Sequence, residues 1–268
     1  MRLYAFVVYA FLYLPIGIIA LFSFSAGRNA SQMQGFSTQW YGRALSNPFV
    51  LDALQTSALI ALSSAVLASI VGTLAALALS GMKGRLRTLF DALIYIAVMI
   101  PGIVIGIATL IALVTVFDAV NPWLEGATGW RLSMGAGSLI AAHGLFTMSL
   151  VIILVRARIE GMDRALLEAS ADLGAGPLAT FRQVTLPLLA PAILAGFLLS
   201  FTFSFDDFII AFFVAGSETT LPIYIFSSIR RGVTPEINAI GTMVMAVSLL
   251  MLVIAQITLR RGEKPNPQ

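Results

Sequence analysis

The chain has no cysteine and a single histidine, His143. The first absence excludes disulfides, thiol nucleophiles and thiolate metal sites. The second leaves no multi-histidine metal cluster to build. Charge is scarce as well: 11% of residues are charged and 59% hydrophobic, whereas soluble domains are about a quarter charged. The two lysines are Lys83 and Lys264, and no Gly-x-x-x-x-Gly-Lys-Ser/Thr phosphate loop occurs, so the chain is not expected to bind ATP that way. No Ser–His–Asp or metal-ligand set marks an intramembrane hydrolase. No catalytic group, cofactor or metal is therefore expected on this chain. The net charge of +3 does not point to nucleic acid, because the basic residues flank apolar segments instead of forming one stripe.

What the sequence has in quantity is apolar segments of membrane length. About 20 such residues cross a bilayer core as a helix, and six windows qualify: 4–24, 54–80, 91–117, 137–156, 188–214 and 238–259. The first, running Leu3–Phe24 after Arg2, exceeds a signal-peptide core of about 7–15 residues and reads as an uncleaved helix. No internal repeat or low-complexity linker interrupts the chain. The expectation is an all-α membrane protein with six transmembrane helices, folded as one domain over 1–268. Asp91 is expected to cap a helix. Pro101-Gly102, with Gly106 four residues on, is expected to open a helix that a neighbour can approach closely. Turn residues Asn121-Pro122, Gly126 and Gly129 mark 118–136 as a connection. Trp40, Tyr41, Trp123 and Trp130 suit interface belts against membrane lipid.

Basic residues in short loops orient such a protein. One side carries eleven: Arg2, Lys83, Arg85, Arg87, Arg156, Arg158, Arg164, Arg182, Arg260, Arg261 and Lys264. The other carries five: Arg28, Arg43, Arg131, Arg230 and Arg231. That bias puts both termini and the long polar loop 157–187 in the cytoplasm.

Within that loop Asp163 suits the N-cap of a helix through Leu166, Leu167, Ser170 and Leu173. Gly174 and Gly176 supply a helix stop, and Pro177 suits the first residue of a second short helix. Phe181 and Val184 share a face there, and Pro187 closes the unit. Composition alone leaves open whether this is an amphipathic surface loop or a docking element.

Glu168-Ala-Ser-Ala-Asp-Leu-Gly174, nine further residues and Val184-Thr-Leu186-Pro187 resemble the Glu-Ala-Ala-x-x-x-Gly-x(9)-Ile-x-Leu-Pro signature of binding-protein-dependent ABC importer permeases. Ser170 replaces the second alanine and Val184 the isoleucine. The resemblance implies a type I importer permease fold in the bacterial cytoplasmic (inner) membrane. It implies a coupling element at Glu168, Ala169, Ser170, Gly174, Phe181, Leu186 and Pro187 that docks on an ATPase subunit. It further implies a second, homologous permease subunit, an ATPase dimer holding ATP and Mg, and an extracytoplasmic solute-binding protein. Further stretches are similar to the second permease subunit of spermidine/putrescine importers: Tyr13-Leu-Pro15-Ile, Phe22-Ser-Phe-Ser25, Gly35-Phe-Ser-Thr-Gln-Trp40-Tyr41, Leu199-Ser-Phe-Thr-Phe-Ser-Phe-Asp206-Asp207 and Val233-Thr-Pro235-Glu236-Ile-Asn238-Ala239. Polyamine is the cargo this branch implies; an opine or other amine-bearing solute is the alternative within the class. A self-contained secondary transporter is the alternative outside it, and would require coupling acids within a repeat.

Asp206 and Asp207 lie inside an apolar window, where a carboxylate costs at least a few kcal/mol unless it faces a cavity or partner. They are candidates for the solute pathway, where weak, releasable binding suits conduction. Equally, they suit a cap at a helix break or an ion pair with Arg230 or Arg231. His143 reads as either a hydrogen-bonded core residue or a pathway group. Tyr224 and Phe226, in Leu221-Pro-Ile-Tyr-Ile-Phe226, suit either a gate with cation–π contacts to an amine or plain packing. Glu218 and Glu236 are outer-face acids that suit contact with a docked binding protein or solvent.

Overall fold

A computed structural model describes residues 2–29 and 32–262, leaving Lys264 outside the described residues. Apart from one isolated bridge between Ser25 and Phe36, its regular structure is helical among the described residues. The helices are α1 (Arg2–Phe22), α2 (Gln39–Ser46), α3 (Pro48–Gly81), α4 (Arg85–Met99), α5 (Gly102–Thr128) and α6 (Ala136–Glu160). After α7 (Arg164–Asp172) come α8 (Pro177–Thr180), a π-helical turn (Phe181–Thr185) and α9 (Leu186–Asp206). The last are α10 (Ile209–Val214), α11 (Leu221–Arg231) and α12 (Pro235–Gly262). Six of the helical spans are long and apolar enough to cross a membrane: Tyr4–Phe22, Pro48–Gly81, Gly102–Thr128, Ala136–Glu160, Pro177–Asp206 and Pro235–Ile254.

Several boundaries differ from the expected windows. The window 91–117 is two helices, parted where Ile100 turns extended (ψ 134). Pro101 imposes this, since its ring disfavours helical backbone in the residue before it. Asp91 consequently lies inside α4 and caps nothing; it pairs with Arg156 of α6 instead. The connection expected over 118–136 is helical to Thr128, with Pro122 inside α5. Asn121 ties the end of that helix down, its Nδ2 donating to Leu132 O (3.0 Å) and its Oδ1 accepting from Leu132 N (2.7 Å). The fifth window begins earlier than 188, at Pro177, and breaks at Asp207.

The chain divides into two compact units. The first comprises residues 1–57 and 219–250. In it α1 buries none of its span. Trp40, expected at an interface, is instead a core residue, 5% exposed. Its indole N–H donates to Ser25 O (2.7 Å). Tyr41 bonds the Ser23 hydroxyl at 2.6 Å. Trp123 and Trp130, by contrast, are exposed.

The second unit comprises residues 58–218 and 251–268. Its core gathers Ala68, Ala76 and Leu79 of α3, Ile94 of α4, Val151, Ile152 and Val155 of α6, and Leu189 of α9. At the end of α4 and α6, Asp91, Arg87, Arg156 and Glu160 form one charge network, with Arg87–Glu160 at 3.5 Å and Arg156–Glu160 at 3.6 Å. This network fixes the platform from which α7 departs.

Candidate functional site

The polar loop folds into a corner. Asp163 caps α7, its carboxylate accepting from Ala165 N at 2.9 Å, which satisfies an orphan donor of the first turn. The helix ends in a tight reversal at Gly174, whose φ of +78° suits a residue without a Cβ. Pro177 then begins the next helix, as expected. That helix is not a separate short element, however. α8, the π turn and α9 are continuous from Pro177 to Asp206, so Pro187 lies within it and closes nothing. The corner is thus one short helix and the extended foot of a membrane-length one.

The two arms are pinned by Ser170 and Thr180, whose hydroxyls lie 2.9 Å apart. Glu168, Ala169, Gly174, Leu186 and Pro187 are all exposed. So are Leu173 and Leu178, at 88% and 79%, flanking the corner. Phe181 was expected to face outward. It is half-buried and lines a cavity of about 450 Å³ with Leu77, Ile159, Met162 and Leu167.

The second cluster forms where α9 stops. Asp207 takes an extended conformation (ψ 121), and its Oδ2 accepts from Ala211 N, in the first turn of α10, at 3.0 Å. His143 of α6, 2% exposed, faces the same carboxylate, Nε2 to Oδ2 at 3.4 Å. Its Nδ1 meets the buried Ser204 hydroxyl at 2.7 Å. Among the described residues Nε2 is buried and makes no hydrogen bond. Asp206, one residue earlier, is exposed. Folding therefore assembles Ser204, His143 and Asp207, a set with no sequence spacing to announce it. It is not a hydrolytic triad. The nitrogens face the opposite partners to those of the serine protease arrangement, and Ser204 is 5% exposed. α10 leaves the break to pack on α5 at Gly106, where an added Cβ would lie 2.7 Å from Phe213 Cδ2.

The family model for the inner membrane component of binding-protein-dependent transport systems matches residues 68–261, which include both clusters. The chain belongs to this family. The permease is 38% identical over 260 residues to the spermidine/putrescine transport system permease protein PotC of Haemophilus influenzae, covering 97% of this chain and 96% of that protein. To the putrescine transport system permease protein PotI of Escherichia coli K12 it is 37% identical over 259 residues, covering 96% and 89%. Its fold is similar to that in the crystal structure of a bacterial ABC transporter involved in import of the acidic polysaccharide alginate. The TM-score is 0.72, with 16% identity and coverage of 98% and 95%; that likeness concerns the fold alone. The permease is thus a transport subunit with the ABC importer permease fold, a multi-pass protein of the bacterial inner membrane.

The other expected site residues of the permease lie in the first unit. Tyr224 is half-buried on α11, 3.4 Å from Asn47 Nδ2, which also donates to Glu236 Oε1 at 3.0 Å. Glu236 is therefore held as well as partly exposed. The ring of Phe226 already carries a cation, the Arg230 guanidinium at 5.4 Å. Sequence alone marks Asn47 only as part of a connection and Ser204 only as part of a segment suited to cap a helix break; their partners come from the fold. An Asn-Pro pair signals only a turn, and a serine in an apolar helix has no periodicity of its own.

Proposed function

We propose that this permease is a subunit of an ATP-driven importer of polyamines, spermidine or putrescine. It would form half the pathway beside a second permease and receive cargo from an extracytoplasmic binding protein. The eleven-to-five bias of basic residues supports termini and corner on the cytoplasmic side. The observation that carries the drive mechanism is the corner itself, where Leu173 and Leu178 stand exposed around Gly174. Two large apolar side chains on a rigid, capped turn are suited to a groove in another protein. In this reading the ATPase subunits hold ATP and Mg, and this chain binds no cofactor. Closure of the ATPase dimer moves the corner, and because the foot of the corner is continuous with α9, the displacement reaches the Asp206–Asp207 break. The cargo assignment rests on the PotC and PotI relatives and on acid in an apolar span, which suits an amine.

The test is reconstitution of the assembled transporter in vesicles with labelled putrescine. Uptake driven by ATP and displaced by spermidine is expected, with Glu168→Lys inserting normally but losing the ATPase subunit on purification. Failure of any polyamine to enter or compete would overturn the cargo. Solute movement by the permease alone down an ion gradient would overturn the mechanism.

A further inference from the structure

In the second unit an apolar groove runs along α4, between α3 and α6. One part is a cavity of about 480 Å³ walled by Ala75 and Leu79 of α3, Phe90 and Leu93 of α4, and Met148 and Ile152 of α6. The other, about 200 Å³, continues past the Pro101 break to Val104 and Ala108 of α5. Ala97 and Leu145 line both, so the two form one groove. Alanines at 75, 78 and 97 open it, standing where larger side chains would fill the space between the helices. α4 has 15 residues, which makes the groove about 22 Å long at 1.5 Å per residue. That is enough for an acyl chain to cross one leaflet, about half of a 30 Å hydrocarbon core. Spread over that length, the two volumes leave a width of a few ångströms, whereas a helix with its side chains needs about 10–12 Å. A chain of methylenes fits this space and a further helix does not.

The end of the groove at the α3–α4 turn is basic. Met82 lines it, Lys83 follows, and Arg85 is the first residue of α4. The spanning helix α3 ends at Gly81, so these cations stand at the bilayer surface. Both are exposed, and neither has a salt bridge among the described residues, whereas Arg87 and Arg156 are engaged by Asp91 and Glu160. α4 itself buries only Ile94 and has apolar surface left to cover.

We propose that this groove binds one anionic phospholipid, its phosphate at Lys83 and Arg85 and one acyl chain along Phe90, Ala97 and Leu145. Basic side chains between membrane helices attract acidic headgroups, and the apolar slot beneath them selects a lipid over a free phosphate. The inference requires membrane residence alone and is independent of the cargo.

The test is photo-crosslinking of the full-length permease, with its co-purifying subunits, in phosphatidylcholine vesicles. The probe is phosphatidylglycerol carrying a diazirine on one acyl chain. Peptide mapping should place the label within 75–108 and 142–152, and unlabelled phosphatidylglycerol should displace it. Each basic residue near the headgroup favours an acidic lipid by about fivefold, so the same diazirine chain on phosphatidylcholine should label roughly tenfold less or weaker still. Replacing both cations, Lys83→Ser with Arg85→Ser, should bring phosphatidylglycerol down to the phosphatidylcholine level. Ala97→Leu, which fills the waist of the groove, should remove labelling by either lipid. If Ala97→Leu does not assemble, Ala78→Leu on the exposed wall takes its place. Equal labelling by the two lipids in the wild type would overturn the proposal. So would full labelling of the double serine variant, or a groove that takes no label because a helix of the second permease covers it. Failure of the importer reading leaves this test intact, since labelling needs no transport.

Discussion

Ser170 Oγ and Thr180 Oγ1 lie 2.9 Å apart, joining the last turn of α7 to the first of α8 across the Gly174 corner. The family signature places alanine at the first of these positions, so the hydroxyl pair is a local reinforcement of a corner that already has a cap and a left-handed glycine.

That reinforcement and the glycine are separable by mutation. Ser170→Ala removes one hydrogen bond, worth about 1 kcal/mol, and should leave ATPase co-purification and uptake near wild type. Gly174→Ala meets no atom within 4 Å, so its cost is backbone alone, about 1–2 kcal/mol at φ +78°. Co-purification with the ATPase subunit should fall for Gly174→Ala first.

The platform beneath the corner depends on Arg156, whose side chain is 14% exposed and paired with both Asp91 and Glu160. Arg156→Ala should lower stability by about 2 kcal/mol, the worth of hydrogen bonds to charged groups. A charge exchange, Arg156→Asp with Asp91→Arg, should restore part of it. Melting temperature in detergent checks both, and equal melting of Arg156→Ala and wild type would show the network to be idle.

The contact of α5 with α10 is expected to be intolerant at one glycine and tolerant at its neighbour. An added Cβ at Gly106 lies 2.7 Å from Phe213 Cδ2 and 3.4 Å from Ile209 O, but at Gly102 the nearest atoms are 3.9 Å away. Gly106→Leu should cost about 1–3 kcal/mol by overpacking and reduce uptake. Gly102→Ala should do neither. Parallel melting and transport assays distinguish them.

In the first unit Asn47 links α11 and α12 through Tyr224 and Glu236. Asn47→Ala should release about 2 kcal/mol of local hydrogen bonding, one bond being to a carboxylate. Tryptic cleavage at Arg230 and Arg231 should then accelerate, because proteolysis follows local opening. Unchanged cleavage would mean that the segment is held by other contacts.

The membrane-spanning pattern was legible in the chain because apolar runs of spanning length have few alternatives to helix in lipid. The corner was legible too, since Asp163, Gly174 and Pro177 are each suited to one backbone position. What failed was the continuity of elements. Pro101 suits the opening of a helix, yet the apolar window 91–117 runs across it, and the fold parts the two. Pro187 suits the close of the polar unit by sequence, but it sits near the start of α9, directly after the π turn. The amphipathic ring of Trp40 suits an interface, but the fold buries it and pairs its indole N–H with Ser25 O.

The sequence by itself determined the class of molecule: six apolar spans and a permease-family signature in a polar loop. These follow from composition and local spacing, which act on neighbours along the chain. That Ser204, His143 and Asp207 lie together is decided only by tertiary structure. Their meaning depends on 61 residues of chain closing to bring Ser204 Oγ within 2.7 Å of His143 Nδ1. Burial and orientation of a carboxylate are properties of what packs around it, and two adjacent aspartates are identical until a second helix supplies an imidazole to one of them.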